Sequence, residues 1–287
     1  MVDIIHGATG AQGSPVLSAL TAAGRTAIAA VRHPEAVPDG IAARQVDLAS
    51  ADSLASAYEG ADGVFVHLPM GAPEATAAQA RAVVEAVDRT RPGRVVISTS
   101  GQIVDRPDSP LQATADSPIM TLIDGVTGSG IPTAVVAPRL YLENLLLPVV
   151  LAPAHQEGVL RYPLPASFPV SWSSHLDVAD VVARLLMDTS VSGTVAVGHR
   201  PGLTGADLAA AFSNHLGREV HFEAITPEAF GGLITPLFGP AAAPVVELYR
   251  ALNAQDGCII AEDSSAQELL GLRPRPIEQW LKDLAVS

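Results

Sequence analysis

Seven residues near the start decide most of what this chain can become. Gly7-Ala-Thr-Gly10-Ala-Gln-Gly13 follows directly on the apolar run Val2–His6. It precedes Ser14–Ala23, a stretch of helical spacing with Pro15 in its first turn and Gly24 just past its end. Three glycines at this spacing, between a strand and a helix, have a physical task each. Gly7 permits a tight turn, Gly10 lets the backbone approach a pyrophosphate, and Gly13 lets the helix lie close on the sheet. The helix N-terminus then offers N–H groups and a partial positive charge to phosphates. The loop therefore predicts a dinucleotide site built from Gly7, Thr9, Gly10, Ala11, Gln12 and Gly13, the alternative being an ordinary strand-to-helix turn.

The rest of the first half alternates strand and helix signals. Strands are predicted at Thr26–Val31, Gln45–Leu48, Gly63–Leu68, Arg94–Ser98 and Thr133–Ala137, with helices at Ser50–Tyr58, Pro73–Thr90 and Pro118–Ser129. Such alternation implies right-handed parallel crossovers, an α/β doubly wound sheet of Rossmann type. The second half is less regular. Tyr141–Ala152 reads as helix, and the segment around Pro163, Pro165 and Pro169 as loop with short strands. Asp177–Asp188 reads as amphipathic helix, and Thr194–Gly198 as a strand able to rejoin the sheet. Thr204 with Asp207 resembles a capping box, Ser265 with Glu268 a cleaner one, and Ile277–Leu284 a last short helix. The expected organisation is a nucleotide-binding core over 1–140, rejoined by 171–200, with a smaller substrate lobe from 141–170 and 201–287.

Composition narrows the partners. A net charge of −13 argues against nucleic acid and against an anionic membrane surface. The longest membrane-span candidate, Leu140–Leu151, is interrupted by Glu143, Asn144 and Pro148, and no basic region precedes the first apolar run, so a cytoplasmic protein is expected. One cysteine, Cys258, excludes an intrachain disulfide and a cysteine metal cage. No HExxH or HxxxH pattern occurs, so no catalytic metal is predicted, and no GxSxG supports a hydrolase.

Cofactor choice is made at the end of the second strand. An NAD enzyme usually carries an acid there, whereas this chain has Val31-Arg32-His33. Arg32 offers a guanidinium to a 2′-phosphate, with His33 beside it, or else is a solvated surface arginine. The phosphate reading makes the cofactor NADP(H). Asp47 and Leu48 end the predicted third strand, where Asp47 meets the adenine edge or caps the following helix. Doubly wound sheets bind ligands beyond the C-terminal ends of their strands. Leu68, Pro69, Thr99 and Pro138 are placed there to line the cofactor, with Met70 and Arg139 among the remaining lining candidates.

These motifs together resemble a known family. GATGAQG, the VR ending the second strand, VDL on the third and VFVHLP on the fourth look like an NmrA-like atypical short-chain dehydrogenase/reductase. Gly130–Leu146 is similar to the family's Gly-hydrophobic-Pro-Thr strand and following helix start, with its Arg-Pro pair inverted here as Pro138-Arg139. Ser171–Leu186 and the GLTGADLAAAFSNHLGREV segment extend the resemblance over most of the chain. The family holds NADPH-dependent reductases of quinones, azo or triphenylmethane dyes and phenylpropanoid double bonds. It also holds cofactor-binding regulators with no demonstrated need for turnover; without a basic surface for DNA, such a role here would go through protein contacts.

Typical short-chain dehydrogenases place Tyr and Lys four apart on one helix face. Here the tyrosines Tyr58, Tyr141, Tyr162 and Tyr249 are followed four residues on by Asp62, Leu145, Ala166 and Asn253, and Lys282 is the only lysine. Alcohol–ketone chemistry of the usual kind is therefore disfavoured. Hydride transfer to a quinone, a dye or an iminium carbon needs no strong protein acid. His67, Ser100 and Tyr141 are the catalytic candidates: His67 as proton donor or as a partly buried strand histidine, Ser100 as carbonyl ligand or turn serine, Tyr141 as pocket or core residue. His175 is a further cleft candidate, while Asn144 and Asp180 read as helix-start and packing residues. The resulting expectation is an NADPH-dependent reductase of a small conjugated acceptor, the alternative a non-catalytic NADP(H)-binding redox sensor. The apolar loops expected at Leu142–Phe168 and Thr226–Pro244 would wall a pocket or form a homodimer surface.

Overall fold

In the strand Val2–His6 (β1) Ile4 and Ile5 are fully buried in opposite directions. The period-two arrangement recurs in Gly63–His67 (β4), with Val64 and Val66 facing one way and Phe65 the other. A sheet covered on both faces is what such continuous apolar strands require. The computed structural model, which describes residues 1–286, shows that sheet.

The helix Gly13–Ala22 (α1) follows β1, then Thr26–Val31 (β2), Ala43–Gln45 (β3) and Ala51–Tyr58 (α2). After β4 come Pro73–Thr90 (α3), Val95–Ser98 (β5), Pro118–Gly128 (α4) and Thr133–Pro138 (β6). Pro148–Gln156 (α5), Val159–Tyr162 (β7), His175–Met187 (α6) and Gly193–Val197 (β8) continue the chain. The seven-stranded parallel sheet has the order β3-β2-β1-β4-β5-β6-β8, which reverses direction between β1 and β4. Helices α2, α3 and α4 cover one face through Leu54, Tyr58, Val83, Val87 and Leu122. Helices α1 and α6 cover the other through Val16, Leu20, Val178, Val182 and Leu185. This is the Rossmann-type α/β fold, and its reversal point puts a crevice beyond the C-terminal ends of β1 and β4.

A separate apolar cluster lies under most of the later elements: Gly205–Leu216 (α7), His221–Ala224 (β9), Pro227–Phe238 (α8), Ala242–Asn253 (α9) and, after Ala266–Leu270 (α10), which packs on the α1/α6 face through Ala266, Ile277–Asp283 (α11). Strands β7 and β9 pair in parallel as a second small sheet. Trp172, Tyr162, Phe230 and Tyr249 stack edge to face or tilted at the centre of this cluster.

Four local expectations need correction. The third strand ends at Gln45, because β2, its partner, stops at Val31. Asp47 therefore lies beyond the strand, and its carboxylate accepts from the Ala49 N–H instead of capping α2, which Ser50 does. The helix expected over Tyr141–Ala152 is a short 3₁₀ segment, Leu142–Leu146, followed by α5. Pro148 forces Leu147 into an extended conformation (ψ 136°) and breaks it. The reciprocal capping box closes at Thr204/Asp207, and at the unforeseen pair Ser174/Asp177, but not at Ser265/Glu268. There the Ser265 N–H already bonds the Glu262 carbonyl, so nothing is left to receive the glutamate.

The fourth correction is the largest. Thr226–Pro244 is not loop: it is α8, a 3₁₀ turn (Gly239–Ala241) and the start of α9. Likewise α5 and β7 take up much of Leu142–Phe168. Pro227–Asn253 also carries a longer apolar stretch than Leu140–Leu151, sufficient by length and composition alone to cross a membrane. It is divided at Gly239–Ala241, and its two helices pack against each other.

Candidate functional site

The glycine loop forms as its spacing requires. Gly7 has φ +59°, and a Cβ there would stand 2.5 Å from Nε2 of His67, so both conformation and space demand glycine. A Cβ on Gly13 would collide with the carbonyl oxygens of Gly7 and His6, which lets α1 lie close on β1. The Gly10 N–H closes the turn onto the Gly7 carbonyl at 2.8 Å. Thr9, Gly10 and Ala11 are exposed, and the first turn of α1 has no side-chain cap. An uncapped helix start behind an exposed glycine turn fits a pyrophosphate. Arg32 is exposed just beyond β2, its carbonyl accepting from Gln45 at 3.3 Å. His33 is exposed too and bonds Glu35 at 3.0 Å. Leu48 packs against the α2 side of the core, and Pro138 is buried as the last residue of β6.

Gln12 joins the glycine loop to the far side of the crevice. Its Oε1 accepts from the Ser98 hydroxyl at 2.8 Å and the Tyr141 hydroxyl at 3.3 Å, and its Nε2 donates to Ser100 Oγ at 3.0 Å. Ser100 has φ +54°, a left-handed conformation rare for serine, and its N–H donates to Ser98 Oγ. Ser98, not among the site residues expected from the sequence, is fully buried at the end of β5; a hydroxyl closing an apolar strand is the signal that marks it. The Tyr141 ring lies against His175, with centroids 4.4 Å apart. Burial raises the Tyr141 hydroxyl well above its ordinary pKa and lowers His175 to about 4.

His67 ends β4 above Gly7. Its Nε2 is buried without a hydrogen-bond partner, as is Oγ1 of Thr99 at the end of β5. Burial holds the His67 imidazole below its ordinary value, outweighing a backbone hydrogen bond at Leu68. Beneath the loop, His6 Nε2 lies 2.6 Å from the Tyr58 hydroxyl, and burial, with His67 adding to it, lowers His6 to about 3. Both rings are neutral near pH 7.

A cavity of about 610 Å³ opens from this polar end. Gln12, His67, Leu68, Pro69, Met70, Ser100, Tyr141 and His175 line it on the sheet side. Asn144, expected only to start a helix, lines it as well, whereas Asp180 pairs with Arg275 at 2.8 Å outside it. Arg139 is the one charged residue in the lining, and its guanidinium is held by both carboxylate oxygens of Asp105 at 2.8 and 2.9 Å. The opposite wall is apolar: Phe230, Ile234 and Phe238 from α8, Val245, Leu248 and Leu252 from α9. These residues recur at helical spacing, but Pro236, Pro240 and Pro244 hid the helices that carry them.

Comparison with known proteins agrees with this fold. The model of the NmrA-like family matches residues 3–281. An NAD(P)H azoreductase of Xenophilus azovorans is 30% identical over 230 residues, 78% of this chain and 77% of that protein. The triphenylmethane reductase of Citrobacter sp., solved with NADP(H), superposes with a TM-score of 0.81 at 20% identity, covering 99% of each chain. The NADPH-dependent quinone oxidoreductase of Escherichia coli, solved with NADPH, gives 0.78 at 20% identity over 99% of this chain and 100% of that one. At such identity the structural likeness establishes the fold.

Proposed function

The chain belongs to the NmrA-like family, and from that premise we propose that it is an NADPH-dependent reductase of a small, uncharged, conjugated acceptor of quinone type. The observation that carries the reading is one cavity running from the glycine loop, through Gln12, Ser100 and Tyr141, to an apolar wall, with its single charge neutralised by Asp105. The activities of the azo, triphenylmethane and quinone reductases similar to this chain support it.

The cofactor supplies the hydride when bound. The glycine loop and the uncapped start of α1 would hold its pyrophosphate, and Arg32 its 2′-phosphate. One charge-assisted contact at Arg32 is worth about 10- to 150-fold in preference for NADPH over NADH. Gln12, Ser100 and Tyr141 orient the acceptor by hydrogen bonds to its oxygen, and the α8–α9 wall excludes water. Reduction of a quinone by a hydride would call for only one further proton, which solvent can give, so the residues present need no Tyr–Lys pair. No carboxylate lines the cavity to favour a cationic dye.

Calorimetric titration with NADPH, NADP⁺, NADH and NAD⁺, followed by NADPH oxidation with simple quinones, tests the proposal. NADPH should bind more tightly than NADH, Arg32→Ala should abolish the difference, and quinone should be consumed with NADPH in equal amounts. NADPH binding without turnover of any quinone or dye would point to a redox sensor. Absence of all dinucleotide binding would overturn both readings.

A further inference from the structure

The cavity is more apolar than a quinone ring requires. Its free hydrogen-bonding groups cluster at the sheet end, whereas six side chains of α8 and α9 form an apolar wall, and the one hydroxyl there, on Tyr249, is buried against the Tyr162 hydroxyl. A bare ring held at Gln12, Ser100 and Tyr141 would leave that wall to water, at the cost of unburied apolar surface. The wall also reaches the surface. Phe238 and Leu248 line the cavity and remain 40% exposed each, so they stand at its opening, and exposed Met70, just beyond β4, is in the lining too. Leu233 and Leu237, one helical position from Ile234 and Phe238, continue the apolar surface outward along α8.

We infer that the physiological acceptor carries an uncharged aliphatic arm, and that α8 and α9 bind it from Ile234 out to Phe238 and Leu248. The inference rests on the reductase reading for the position of the head group. The arm itself is recognised by hydrophobic burial alone: Arg139, the only charge in the lining, is taken by Asp105, so an arm ending in a carboxylate or an ammonium finds no counter-ion. Chain length, not head-group substitution, then sets affinity.

The test measures dissociation constants of the NADP⁺-loaded protein for a series of naphthoquinones whose alkyl arm is lengthened from methyl to decyl. No turnover occurs in that state, so binding is read apart from catalysis. Each methylene that reaches the wall should tighten binding about two- to fourfold, and the gain should level off once the arm clears Phe238 and Leu248. In the Phe238→Asn/Leu248→Asn double variant the ratio of decyl to methyl affinity should fall at least tenfold. The ratio cancels any loss common to the series, such as partial unfolding. A flat series in the wild-type protein, or an undiminished ratio in the double variant, overturns the inference. Turnover of the methyl quinone beside a flat series would refute the arm and spare the reductase. A steep series without turnover of any member would do the reverse.

Discussion

Acidification should loosen this protein through one histidine. His6 is fully buried at the end of β1, and its imidazole titrates at about 3 in the folded chain against 6.5 when free. Between those values the unfolded chain binds a proton that the folded chain refuses. Stability is therefore greatest above pH 6.5 and is lost as pH falls toward 3. At about 1.4 kcal/mol per unit, moving from pH 7 to pH 5 removes about 2 kcal/mol at this site alone. That is a large share of a typical domain stability of about 5–15 kcal/mol. His67 and His175, also lowered by burial, add in the same direction. Glu143, raised by burial, acts oppositely, because the folded chain takes its proton before the unfolded one does.

Urea unfolding at pH 7 and pH 5, for the wild type and for His6→Asn, isolates the His6 contribution. The variant lowers stability at both pH values by losing packing and the Tyr58 contact, but it should lose about 2 kcal/mol less between them. Equal losses in the two proteins would refute the assignment of a neutral, buried His6. The consequence reaches the cofactor, since His6 directly precedes Gly7 and the His67 ring lies over it. Dinucleotide affinity should weaken in the same pH interval as stability.

Two further substitutions probe the frame of the site. Gly7→Ala forces a left-handed alanine against His67; a cost of at least about 1–2 kcal/mol in stability is expected, with dinucleotide binding lost in calorimetry. Asp3 is wholly buried and held by Arg25 through two bonds of 2.6 and 2.7 Å, so Arg25→Met should destabilise by about 3–5 kcal/mol. An Asp3→Leu/Arg25→Met double variant should recover most of that loss in urea melts.

What the sequence made legible, and what it hid, follows from the range of the signals involved. The strands of the large sheet are short apolar runs bounded by turn residues, and the glycine loop is contiguous, so both could be read from neighbours in the chain. The register of β3 was not legible, since it depends on where β2 ends, fourteen residues away between Val31 and Gln45. The Gln12–Ser98–Ser100–Tyr141 network joins residues up to 129 positions apart, and no local spacing announces it. In α8 and α9 the obstacle was opposite in kind. The apolar period was present, but three prolines read as breakers, whereas Pro236 sits inside α8 and Pro240 and Pro244 fall in the turn and the first turn of α9, where a missing N–H costs little.

The polar end of the cavity also shows how the proposed reaction tolerates the missing lysine. A lysine four residues after a tyrosine serves to make the hydroxyl a better acid. Here burial does the contrary, and Tyr141 holds its proton across the whole working range. A hydroxyl in that state cannot hand a proton over readily, but it remains a hydrogen-bond donor at every pH where the fold survives. Its present acceptor, Gln12 Oε1, is shared with Ser98 over a contact of 2.8 Å, so turning Tyr141 toward an acceptor oxygen would leave Gln12 satisfied. That exchange suits a quinone, whose reduced oxygen is a phenolate, stable enough to form without a proton and to take one from solvent afterwards. It suits a ketone poorly, since the alkoxide formed would need a strong acid beside it. In the proposed reaction the residue types around Gln12 would thus favour one class of acceptor by what they cannot supply.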